Sequence, residues 1–233
     1  VCHSDLSVIN GTRPRPVPMV LGHEASGHVE EVGAGVTDLA PGDHVVCIFA
    51  PGCGTCLPCA EGRPALCTRA AAHHGRGELM TGHRRLSREG APVHHHVGVS
   101  AFATHAVLAR QSLVKVEADL PPHVSALFSC AMLTGAGAVF NTARVPPGSR
   151  VAVFGLGGVG LSAVLGAVAA GAGQVIAIDR FDSKMQAARD MGATHTVKAD
   201  AHTVEAVRDL TGGGVDVAIE LAGSVTAMET AWG

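Results

Sequence analysis

Residues 151–160 read Val-Ala-Val-Phe-Gly-Leu-Gly-Gly-Val-Gly. Four apolar residues without a charge form a buried strand, and the G-x-G-x-x-G spacing from Gly155 to Gly160 follows at once. Gly155 permits a tight turn, Gly157 lets the backbone approach a pyrophosphate, and Gly160 lets helix and strand pack closely. A helix opening after Gly158, at Val159, would offer free N–H groups and a partial positive charge to phosphates. The pattern predicts that helix over Val159–Ala170 and a second strand over Val175–Asp179, closing on an acidic side chain 24 residues after Gly155. Asp179 suits ribose hydroxyls and repels a 2'-phosphate, favouring NAD over NADP, with Arg180 pulling the other way. The alternative is a glycine turn kept only for helix–sheet packing.

Working outward, the alternation continues. Helices are expected over Ser183–Met191, with Asp182 as cap, and over Val204–Leu210. Strands are expected over Thr194–Lys198 and Val215–Ile219. Strand and helix in turn define a parallel sheet covered on both faces, the α/β Rossmann class, over residues 132–233. The uncharged stretch Val151–Ile178 is long enough to cross a bilayer. Its seven glycines and the turn at Gly171–Gly173 argue against a membrane span. Residues 1–131 are different: rich in Pro, His and Cys, with short apolar segments such as Gly27–Val32, Asp43–Phe49 and Ala101–Leu108 split by turns. This half reads as mostly β.

Composition excludes several classes. The chain has 233 residues, 47% hydrophobic and 16% charged, with a formal net charge of -3. It is neither disordered nor basic enough to suggest nucleic acid. It opens on Val1 with no signal peptide, and the coenzyme fold has four strands where six are usual. Both domains are therefore expected to be incomplete, the chain being the middle of a longer protein. Seven cysteines, four of them within Cys53–Cys67, suggest a reduced, cytoplasmic protein whose thiols bind metal. Cys53, Cys56, Cys59 and Cys67 can close a tetrahedron around a structural zinc. An iron–sulfur site and redox disulfides are the alternatives. Cys47, in an apolar run, reads as a buried hydrophobe. Cys2, His23 and Cys130 lie too far apart for spacing to link them.

The chain resembles the zinc-containing medium-chain alcohol dehydrogenases, in the branch of liver-type, thiol-dependent formaldehyde and aryl alcohol enzymes. The resemblance rests on Cys2-His3-Ser4-Asp5, Gly22-His23-Glu24 and Gly42-Asp43-His44-Val45. It also rests on the four-cysteine lobe 53–67, on Ser129-Cys130 with Thr134-Gly135, and on Val153 through Gly160 with Asp179 and Lys184. It implies a mixed-β GroES-like catalytic domain over 1–131 joined to the Rossmann coenzyme domain. It implies two zinc ions per subunit, NAD, and reversible hydride transfer between an alcohol and its aldehyde. Cys2, His23 and Cys130 would hold the catalytic zinc, Asp5 would orient His23, and Glu24 would lie behind the metal. Ser4 would take the alcohol proton. His3 would face the pyrophosphate, Thr134 would flank the nicotinamide, and Lys184 would reach the adenosine ribose. Phe49 and His96 would line the substrate pocket.

In one respect the chain departs from the liver-type pattern. Ser7 stands where a His ends the proton relay, and a hydroxyl is no base near pH 7, so the proton must leave by another route. The expected partners are a small alcohol or aldehyde, with no nucleic acid or membrane, in a homodimer or homotetramer. The alternatives are an S-(hydroxymethyl)thiol dehydrogenase, using glutathione or mycothiol, and an inactive zinc- and nucleotide-binding fragment.

Overall fold

The computed structural model describes residues 1–117 and 119–233. They divide into two compact units, Val1–Cys130 and Ala131–Gly233.

In the second unit, β7 (Arg150–Phe154), β8 (Gln174–Asp179), β9 (His195–Lys198) and β10 (Val217–Glu220) form one parallel sheet in the order β10-β7-β8-β9. The period-2 alternation of strands sorts their side chains to two faces. Val151, Val153, Val175 and Ala177 point into one core with Ala163, Val164 and Met185. Ala152, Phe154, Ile176 and Ile178 point into the other with Val197 and Val207. Both faces are dry because helices cover both, which is why β7 and β8 carry no charge between Arg150 and Asp179.

The connections are α6 (Gly158–Ala169), α7 (Asp182–Asp190) and α8 (Thr203–Thr211). α9 (Val225–Trp232) follows β10, and α5 (Ala131–Gly137) with a π-helical turn over Ala138–Ala143 precedes β7. Val151–Ile178 is thus strand, helix and strand. No single helix among the described residues is long and apolar enough to cross a membrane. Asp182 is not the cap expected of it: it is the first residue of α7, the extended residue before it is Phe181, and no side chain caps the helix. Its charge still lies in the first turn, where the helix dipole favours an anion.

The first unit is less regular than a mostly-β reading suggests. Its strands are β1 (Met19–Val20), β2 (Ser26–His28), β3 (His44–Cys47), β4 (Leu86–Arg88), β5 (Ala91–His95) and β6 (Leu113–Lys115). They form two sheets, β1-β5-β4 and β2-β3-β6. Ala101–Leu108 holds no regular element. Helices flank and separate the strands: α1 (His3–Ile9), α2 (Leu57–Ala60), α3 (Thr68–Gly75) and α4 (Pro122–Ser125). All four residues of β3 are buried, with Cys47 among them.

Burial pushes the Cys47 thiol up to about 11. At pH 8 about one molecule in a thousand would carry the reactive thiolate there. Alkylation of Cys47 by iodoacetamide at pH 8, followed by peptide mass spectrometry, is expected to run at least about a hundredfold slower than for a free cysteine. Labelling at the rate of an exposed thiol would contradict this placement.

Two candidate metal centres and a dinucleotide turn

The four clustered cysteines meet at one point. Their sulfurs all lie within 4.8 Å of one another. Cys56 Sγ is 3.5 Å from Cys59 Sγ and 3.8 Å from Cys67 Sγ, and Cys53 Sγ is 4.0 Å from Cys59 Sγ. A tetrahedral zinc with Zn–S near 2.3 Å requires S···S edges of about 3.8 Å, so the sulfurs fit that ion. Local backbone aims them. The amides of Thr55 and Cys56 donate to Cys53 Sγ at 3.5 and 3.3 Å, and the Ala70 amide donates to Cys67 Sγ at 3.4 Å. The Thr55 hydroxyl and these amides draw the Cys53 thiol down to about 5, while burial and neighbouring sulfurs push Cys59 up to about 11. Sulfurs this close cannot all ionise without a cation between them.

A second group forms where Cys2, His23 and Cys130 converge, their ligand atoms again within 4.8 Å. Cys2 precedes α1, and its amide donates to Asp5 Oδ2 at 3.0 Å. Asp5 is buried at the first turn of that helix. Its Oδ1 accepts the Gly22 amide at 3.1 Å and lies 3.3 Å from His23 Nδ1. Burial opposes ionisation of Asp5, but the Cys2 amide, the His23 charge and the Gly22 amide hold its carboxyl below the usual range. With Nδ1 engaged by Asp5, Nε2 is the His23 nitrogen left for a metal, the arrangement expected of a ligating imidazole. Two sulfurs and one nitrogen suit zinc and leave a fourth position open.

Cys130 is placed from behind. His44 Nδ1 lies 3.2 Å from the Glu117 carbonyl oxygen and so carries the proton. Nε2 then accepts the Ser125 hydroxyl at 3.0 Å. This buried pair ties β3 to the chain leading into Cys130, a link no sequence spacing suggests.

The other expected residues fall as follows. Ser4 Oγ is 3.8 Å from Cys2 Sγ. The Phe49 ring stands edge-on to His23 at 5.4 Å, and the His96 ring does so at 5.5 Å. Glu24 lies 3.3 Å from the Val1 amino group. His3 is exposed on α1, and the Ser7 hydroxyl donates to its carbonyl at 2.8 Å. Thr134 is exposed on α5 in the second unit.

In that unit the glycine turn sits between the end of β7 and α6, beside the point where strand order reverses from β7 to β10, the position at which open α/β sheets bind ligands. Gly155 has φ +86°. A Cβ on Gly160 would strike the Gly155 carbonyl oxygen at 1.8 Å, whereas one on Gly157 would meet nothing within 4 Å. The turn is therefore closed on the protein side and open on the other, which fits a dinucleotide. Gly157 is the extended residue before α6, so the Gly158, Val159 and Gly160 amides head the helix. Asp179 is buried; its Oδ2 accepts the Leu156 amide at 2.7 Å and its Oδ1 the Phe181 amide at 3.0 Å. Lys184 Nζ stands 3.8 Å from Asp179 Oδ2.

Known proteins resemble this chain over almost its whole length. Residues 1–118 match the family model for the alcohol dehydrogenase GroES-like domain, and residues 158–232 match that for a zinc-binding dehydrogenase. An S-(hydroxymethyl)glutathione dehydrogenase of Synechocystis sp. is 42% identical over 99% of this chain. The crystal structure of an alcohol dehydrogenase zinc-binding domain protein from Burkholderia ambifaria superposes with a TM-score of 0.92 at 40% identity, over 99% of this chain. That of a benzyl alcohol dehydrogenase from Acinetobacter calcoaceticus does so with a TM-score of 0.87 at 37% identity, again over 99%. This chain spans 64% of the length of the first relative and 63% of each of the two structures. The chain belongs to the zinc-containing medium-chain alcohol dehydrogenase family, with a GroES-like domain followed by a Rossmann-like one.

Proposed function

We propose that this chain carries the zinc and coenzyme sites of an NAD-dependent dehydrogenase that reversibly oxidises a primary or aryl alcohol to its aldehyde. The observation that carries the reading is the convergence of Cys2, His23 and Cys130 beside the Ser4 hydroxyl, a three-ligand set with one position left for a substrate oxygen. Bound zinc supplies Lewis acidity, and bound NAD supplies the hydride acceptor.

The chain's own residues do the rest. Asp5 fixes the His23 tautomer, and Ser4 Oγ takes the hydroxyl proton as it gives up its own toward water. Ser7 is spent on the His3 carbonyl and does not carry the proton further. Phe49 and His96 wall the substrate side, and Glu24 stands behind the metal. His3, Thr134, the amides of Gly158 and Val159, and Lys184 serve the coenzyme. Asp179 already accepts two amides but keeps lone pairs for ribose hydroxyls, and its charge disfavours a 2'-phosphate. The four-cysteine lobe holds a second, structural zinc, and the assembly is a homodimer or homotetramer.

The likeness to the S-(hydroxymethyl)glutathione dehydrogenase supports a second reading, in which the alcohol is the hydroxymethyl adduct of a thiol. A substrate panel with NAD and NADP separates the two: ethanol, benzyl alcohol, and formaldehyde with and without glutathione or mycothiol. Oxidation of benzyl alcohol with NAD, and two zinc ions per chain by metal analysis, are the expected results. Activity that requires the added thiol would reverse the order of the readings, and one zinc per chain would remove one of the two centres.

A further inference from the structure

Asp5 faces two imidazoles. His96 is buried, and its Nδ1 lies 3.2 Å from the same Asp5 Oδ1 that His23 Nδ1 approaches at 3.3 Å. That nitrogen has no aligned hydrogen-bond partner, and Asp5 Oδ1 is an acceptor within its reach. Asp5, His23 and His96 could be taken for a third metal seat. However, both ring nitrogens converge on one carboxylate oxygen that also accepts the Gly22 amide, which is the geometry of donors around an anion.

His96 is also held by an unusual loop. Its amide donates to Ser100 Oγ at 2.9 Å, and its carbonyl accepts the Val99 amide at 3.0 Å. Val97 and Ser100 have φ +45° and +58°, a left-handed conformation that a β-branched valine rarely adopts. The same loop is stitched to the residues before His23: the Ala101 amide donates to the Gly22 carbonyl and the Phe102 amide to the Leu21 carbonyl, both at 3.0 Å. Loop, imidazole and carboxylate thus form one clamp on the Leu21–His23 segment.

We infer that His96 is a positioning residue for the Cys2–His23–Cys130 centre. Its Nδ1–H supports the same Asp5 oxygen that His23 Nδ1 approaches, so that Asp5 holds the His23 ring with Nε2 toward the metal. The inference rests on the proposed zinc role of that trio and adds a function to a side chain otherwise assigned to the pocket wall. Outer partners of metal ligands typically change metal affinity ten- to a hundredfold, on the order of the effect expected here.

The test compares wild type, His96→Phe and His96→Asn in the full chain. Zinc retained against a graded chelator is measured by metal analysis, and Cys2 and Cys53 are read separately by thiol alkylation and mass spectrometry. His96→Phe is expected to weaken zinc at the trio by about tenfold or more, exposing Cys2 to alkylation while Cys53 stays protected. His96→Asn, whose amide can still donate to Asp5, is expected to recover most of the loss. If wild type holds the trio zinc and His96→Phe holds it as tightly, or if His96→Asn is no better than His96→Phe, the positioning role falls and the zinc role stands. If wild type takes up only the four-cysteine ion, both fall. Ser100→Ala, which frees the His96 amide without touching the ring, should give an intermediate loss; no loss would show that the loop does not act through His96.

Discussion

Replacing Cys56 with alanine is expected to strip the four-sulfur ion from the chain and to melt the lobe 53–67. Cys56 is the hub of that cluster, 3.5 Å from Cys59 Sγ and 3.8 Å from Cys67 Sγ. Little else holds the lobe. Leu57 is 71% exposed and Leu66 is 59% exposed, so the apolar side chains of α2 and its neighbour face water. The small core beneath consists of Cys67, Ala70, Met80 and Ala109, with the other three cysteines packed on it. A structural zinc typically contributes about 10–16 kcal/mol to such a fold. Whole-domain stability is only about 5–15 kcal/mol. No rearrangement of this core can offset a loss of that size. Metal analysis should therefore show one equivalent fewer zinc, and limited proteolysis should open new cuts within 53–67. Chelation of the wild-type chain should reproduce those cuts. An unchanged proteolysis pattern in Cys56→Ala would mean that the lobe is held by its turns and not by an ion.

That lobe was legible in the sequence because its four cysteines are close neighbours, and the same holds for the α/β half. There, strand and helix periodicities are long and unmixed, and the expected elements fall within one or two residues of those observed, as helix and strand ends generally do. The first unit was harder to read for a physical reason. Its strands run two to five residues, too short for alternation to register, and several are set by distant pairing, as when Met19 lies beside His94. α1 and α3 have no strong apolar stripe, and both stand next to candidate metal ligands. The trio and the Asp5–His96 approach are long-range products of that topology. The resemblance could point to Cys2, His23 and Cys130, but nothing in the order of residues brings His96 to Asp5.

The glycine turn offers a sharper test, because two of its glycines serve opposite sides of one backbone. In Gly160→Ala the new methyl would sit 1.8 Å from the Gly155 carbonyl oxygen and 2.9 Å from its carbon. No side chain can yield there, so β7 and α6 must separate or the Gly155 turn must change conformation. Strain of that kind in a packed interior costs about 3 kcal/mol or more. For a unit of this size that is a fall in Tm of roughly 12 °C or more. Gly157→Ala meets nothing within 4 Å, and its φ of -76° is open to alanine. Losing a glycine at the helix cap costs about 1 kcal/mol, offset in part by a less flexible unfolded chain, so Tm should move by a few degrees at most. Yet that methyl would fill the space through which a pyrophosphate would approach the α6 amides, and NAD affinity should fall on the order of a hundredfold in calorimetry. The two variants therefore separate folding from binding: Gly160→Ala loses both, and Gly157→Ala loses binding alone. Wild-type NAD affinity in Gly157→Ala would remove the pyrophosphate from this turn. A Gly160→Ala chain that melted with Gly157→Ala would show that β7 and α6 do not need the close approach that Gly160 permits.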